Sequence, residues 1–133
     1  MMASRQNRRA ALRALCGLGL ASSLGSRLAS AGQKLGQAAA DFTLADLKAV
    51  PTKLSSFRGK VVILDFFASW CDPCKRELPE LEKLHRELAA AGVVFLGINL
   101  DREQANAVEM AKRFGLTFKV LLDPQGKVAE LYD

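Results

Sequence analysis

Two cysteines stand two residues apart in the stretch Trp70-Cys71-Asp72-Pro73-Cys74. That spacing lets the second thiol reach and resolve a mixed disulfide formed on the first, which is the chemistry of reversible thiol–disulfide exchange. The apolar run Val61-Val62-Ile63-Leu64-Asp65-Phe66-Phe67-Ala68 precedes the pair and a helical pattern follows it. The cysteines are therefore expected where a buried strand turns into a helix. A helix start leaves N–H groups free and carries a positive dipole end, and both favour a thiolate at the leading Cys71. Trp70 offers an apolar shoulder to a partner, and Pro73 suits the first turn because it has no N–H to leave unbonded there.

A structural disulfide or half of a zinc site would use the same spacing. Zinc usually takes four ligands. The further soft ligands are Cys16, in a segment that reads as removable, and His85, about three turns along the following helix. The strand before the pair and the helix after it favour redox chemistry. Two acids could serve it. Asp65 interrupts the apolar run, and burial there would raise its pKa and make it a proton carrier. A satisfied structural polar group is the alternative. Glu77 lies one turn past Cys74, either moving protons for the pair or acting as an ordinary early-helix acid favoured by the dipole. His85 is expected on the solvated flank of the helix.

The chain has 133 residues, room for one domain, and a formal charge of +5. Five of its 19 lysines and arginines (Arg5, Arg8, Arg9, Arg13 and Arg27) precede residue 32, and no acid does. The remainder carries 14 bases against 14 acids, so a nucleic-acid role has no support in charge. Residues 1–31 read as an export signal: a basic segment, a short apolar stretch from Ala14 to Gly25, and the small residues Ala29-Ser30-Ala31 before Gly32. Asn7-Arg8-Arg9-Ala10-Ala11-Leu12-Arg13 resembles a twin-arginine motif with Ala11 in place of a large apolar residue. Leu15 before Cys16 is too large for lipoprotein processing, and the apolar stretch is short for an uncleaved anchor.

Residues 32–40 read as a linker and 41–133 as one domain. Two short strands are expected around Asp41–Leu44 and Val50–Leu54, then a loop at 55–60 and a strand from Val61 to Ala68. A helix should follow from Asp72 to Ala91, with Leu78, Leu81, Leu84 and Leu88 on one face and Glu80, Glu82, Lys83, Arg86 and Glu87 mostly on the other. Pro79 should kink it. Val93–Leu100 reads as a second buried strand, Asp101 as the N-cap of a helix through Phe114, and Phe118–Leu122 as a third strand. Strands alternating with helices indicate an α/β domain.

Val62 to Cys74, with an acid six residues before the first cysteine, resembles the thioredoxin fold. Asp41-Phe42-Thr43-Leu44, Leu54 to Val62, Phe66 to Cys74 and Glu77-Leu78-Pro79 resemble the TlpA/ResA group of exported disulfide reductases of the bacterial cell envelope. The resemblance implies a central mixed sheet flanked by helices, with an N-terminal β-hairpin. It implies Cys71 as nucleophile, Cys74 as resolving cysteine, Glu77 as an active-site acid, and Asp65 at the buried acid of thioredoxin, where many members carry Asn. It also implies a periplasmic-side protein disulfide reductase, in many members serving cytochrome c maturation. The partners would be protein disulfides, apocytochrome c among them, with a membrane thiol relay as electron donor and no metal or organic cofactor.

Asp72 departs from the group's pattern. Its negative charge beside Cys71 disfavours the thiolate, which would make the couple more reducing. Members of the group continue past Leu131-Tyr132 into a Gly-x-Pro segment with a cis-proline, followed by two strands and a helix. None of the prolines here (51, 73, 79, 124) can fill that role. The sequence is therefore expected to be an incomplete record of a longer protein, or else a degenerate product, with the last strands and helix missing. Rival readings are a peroxide-reducing thiol protein, which resembles this fold but needs Thr where Ala68 stands, and a non-catalytic binding module.

Overall fold

The computed structural model describes residues 35–133, so the expected leader lies outside the described residues. The first element is a hairpin, β1 (Thr43–Ala45) against β2 (Pro51–Lys53), in antiparallel register with Leu44 opposite Thr52. Its turn is built by Asp46, whose Oδ1 accepts from the amides of Lys48 and Val50 at 2.8 and 2.9 Å. A 3-10 turn at Leu54–Phe57 then leads into β3 (Val62–Phe67).

From there strands and helices alternate: α1 (Asp72–Leu88), β4 (Val94–Asn99), α2 (Gln104–Arg113), β5 (Lys119–Leu122) and α3 (Lys127–Tyr132). β3, β4 and β5 form a parallel sheet in that spatial order. Antiparallel character enters through a bridge between Asp46 and Leu121. Near-continuous apolar runs become strands covered on both faces, as parallel sheets require. Both crossovers step in the same direction across the sheet, so right-handed connections put α1 and α2 on one face. There Leu78 and Met110 pack with Phe67, Phe95, Phe118 and Val120. On the other face Phe42, just before the hairpin, and α3's Val128 pack on Leu96, Ile98 and Leu121. Gly97 lets this work at the sheet's centre. A Cβ there would lie 2.8 Å from the Phe118 ring and 2.9 Å from that of Phe67.

Three expectations are corrected. Glu82 does not join the solvated stripe of α1 but is buried, because its carboxylate accepts from the Thr117 amide at 2.7 Å and the Thr117 hydroxyl at 2.5 Å. Arg86 donates to the same group at 2.7 Å, so the buried charge is fully partnered. His85 is not a solvated flank residue either. Its ring meets those of Phe95 and Phe118 edge-on, with Nδ1 buried and without a hydrogen-bond partner. Asp101 does not cap α2; the helix starts two residues later, behind Glu103, with no side-chain cap.

Candidate functional site

β3 ends at Phe67, and four residues later α1 begins with Cys71 in the N-cap position. Pro73 sits in the first turn, where the missing N–H costs nothing. Cys71 and Cys74 are joined in a disulfide, so the structure shows the oxidised form of the pair. Cys71 Sγ accepts from the Cys74 amide at 3.4 Å, which places that sulfur at the positive end of α1. Cys74 faces inward: its Sγ lies 3.8 Å from the Phe66 carbonyl oxygen and it packs on the core. Trp70, 71% exposed, projects beside the pair.

The two acids meet. Asp65, Pro73, Arg76, Glu77 and Glu80, with Leu81 and Leu84, line one open groove of about 380 Å³ between β3 and α1. Burial pushes the Asp65 carboxyl above its ordinary 3.8, and the charge of Glu77 pushes the same way. Trp70 and the cysteines are not among the groove's lining residues. Asp72 is not a bare charge, because Lys75 Nζ sits 3.0 Å from its Oδ1. That ion pair, with Arg76 nearby, holds the Asp72 carboxyl below the usual range. Among the described residues no group of three or more His, Cys, Asp and Glu could hold a metal ion.

Sequence reasoning missed the residues behind the cysteine loop. Ser69 donates its amide and its hydroxyl to Asp101, at 2.9 and 2.6 Å, and the Asn99 side-chain amide donates to the same carboxylate at 2.9 Å. The available signal was Asn99-Leu100-Asp101 at the end of β4. Parallel pairing puts Asn99 opposite Phe67, beside the chain that leads into the cysteines.

Residues 35–133 match the model of the AhpC/TSA family. Thiol-disulfide oxidoreductase ResA of Geobacillus kaustophilus is 39% identical over 99 residues, covering 74% of this chain and 57% of the relative. This chain thus spans little more than half the length of that relative. A candidate thiol:disulfide interchange protein DsbE of Chlorobium tepidum superposes with a TM-score of 0.70 at 34% identity, covering 77% of this chain and 71% of the other. Peroxidoxin BcpB of Mycobacterium tuberculosis superposes with a TM-score of 0.64 at 28% identity, covering 73% and 64%.

Proposed function

Because this chain belongs to the AhpC/TSA family, we propose that it acts within that family as a cell-envelope thiol–disulfide oxidoreductase, reducing protein disulfides through Cys71 and Cys74. The observation that carries the reading is a disulfide at the start of α1 with the Cys71 sulfur on the Cys74 amide. A helix N-terminus favours a negative charge at its end, so in the reduced form it favours the thiolate of Cys71.

In the reduced form Cys71 attacks a substrate disulfide as thiolate. A bond forms between Cys71 and one substrate sulfur, and the other leaves as a thiolate that takes a proton. The Cys74 thiol then gives up its proton and attacks Cys71. The Cys71–Cys74 disulfide closes, and the second substrate thiol is released. Two electrons pass from the pair to the substrate, and a dithiol donor must return them.

Cys74 is turned toward the core, so its proton needs an acceptor. Asp65 is suited to the task because its raised pKa brings it nearer neutrality, and Glu77 opens the same groove to solvent. Trp70 and Pro73 shape the approach. The export reading rests on residues 1–31, which lie outside the described residues. Apocytochrome c as substrate and a membrane thiol relay as donor extend the reading by the resemblance of the sequence to the TlpA/ResA group.

The test is trapping. The Cys74→Ser variant should accumulate a mixed disulfide through Cys71 with a disulfide-bonded peptide, and Cys71→Ser should accumulate none. No adduct in either variant would leave a binding module. The likeness to a peroxidoxin favours a second reading, peroxide reduction at Cys71. Buried Ala68 counts against it, because the hydroxyl that peroxide reduction needs three residues before the cysteine is absent. Hydrogen peroxide consumption at a rate above that of disulfide exchange would favour it instead.

A further inference from the structure

We propose that Asp101 is a positioning residue for the nucleophile: it grips Ser69 and so holds Cys71 at the end of α1. This rests on the redox reading of the pair. Asp101 is 4% exposed and Asn99 is fully buried. Among the described residues no Lys, Arg or His lies within ion-pair distance of Asp101. Its three side-chain partners are neutral donors, two of them on Ser69. A buried carboxylate without a cation is costly to keep, and a neutral pair would satisfy a simple turn more cheaply.

What the carboxylate adds is two acceptor oxygens in a fixed fork. Oδ2 takes the Ser69 amide and the Asn99 side chain, and Oδ1 takes the Ser69 hydroxyl. The fork is itself fixed. The Asp101 amide donates to Asn99 Oδ1 at 3.1 Å, and the neighbouring Leu100 amide donates to the Phe67 carbonyl at 2.9 Å. The segment between β3 and α1 is thus anchored from the end of β4. Ala68 is buried and its carbonyl accepts the Cys71 amide at 3.1 Å, Ser69 is gripped, and Trp70 turns out to solvent. The hydrogen bond from the Cys74 amide to the Cys71 sulfur, at 3.4 Å, depends on where this segment sets residue 71.

The test compares Ser69→Ala, Ser69→Thr and Asp101→Asn in the full chain carrying Cys16→Ser, reduced, by the pH profile of Cys71 alkylation. Ser69→Ala keeps the backbone amide bond to Asp101, so it can be read even if Asp101→Asn does not fold. Loosening the grip should weaken the thiolate's hold on the helix end. Alkylation below the thiol pKa should then slow about three- to tenfold in Ser69→Ala, with the profile displaced to higher pH. In glutathione buffers the equilibrium should move toward the disulfide by a similar factor. Ser69→Thr, which keeps both donors, should restore the parent profile. If Ser69→Ala lowers the melting temperature but leaves the alkylation profile and the glutathione equilibrium unchanged, the network is only structural and the proposal is overturned. A parent chain in which Cys71 reacts no faster than a free peptide cysteine would sink the redox reading instead.

Discussion

Asp65 carries a cost that the domain bears at neutral pH. Its carboxyl is raised first by burial and then by Glu77, so the folded state binds its proton more tightly than the unfolded chain does. The stability this gives is fully present below the ordinary 3.8 and is lost as pH rises through the folded value. Asp65→Asn should therefore be more stable than the parent at pH 7, and urea midpoints should converge near pH 3.5. The same variant should slow release of substrate from the Cys71 adduct if Asp65 takes the Cys74 proton. On the proposed redox reading, Asp72 acts on the Cys71–Cys74 couple through charge. Removing its partner in Lys75→Met should make the couple slightly more reducing, and Asp72→Asn should make it slightly more oxidising, the effects being small because the pair is exposed. Equilibration with glutathione measures both. Asp65 and Asp72 could be read from sequence because each is a charge in a conspicuous place. Asp101 could not, because a carboxylate before a helical pattern also reads as a cap, and only the strand order turns it toward Ser69.

At the scale of elements, α1 is pinned to the loop before β5 by Glu82. Burial alone would raise this carboxyl, but hydrogen bonds from Thr117 and Arg86 outweigh it and hold it below its ordinary 4.5. A lowered folded pKa gives stability that is present above 4.5 and is lost as pH falls through the folded value. Glu82→Gln should cost about 1.5–3 kcal/mol at pH 7, the worth of hydrogen bonds to a charged group, and the difference should shrink below pH 4 in denaturant titrations. Gly97→Ala tests the sheet's centre. Forcing a methyl against the Phe67 and Phe118 rings should cost about 1–3 kcal/mol by the same measurement. The alternation of strands and helices was legible, since continuous apolar runs and a leucine stripe leave little ambiguity. What a helix presents to its neighbour was less so. Glu82 and His85 look like surface residues until Thr117, Phe95 and Phe118 are brought beside them.

At the scale of the whole molecule, a parallel sheet with α1 and α2 on one face brings the carboxyl ends of β3 and β4 to one edge, where open α/β sheets carry their chemistry. Cys71, Ser69 and Asp101 all lie at that edge. The fold class was readable because the strand–helix rhythm of the chain is regular. The coupling of one strand's end to the next was not, because it depends on register. The central claim is that Cys71 and Cys74 form a reducing redox couple. The measurement that tests it most directly is the reduction potential of the full chain carrying Cys16→Ser, equilibrated in glutathione or dithiothreitol buffers and read by thiol alkylation. A single two-electron transition below about −200 mV is the predicted result. A potential near that of a strong oxidant, about −120 mV, or no defined transition at all, would contradict it.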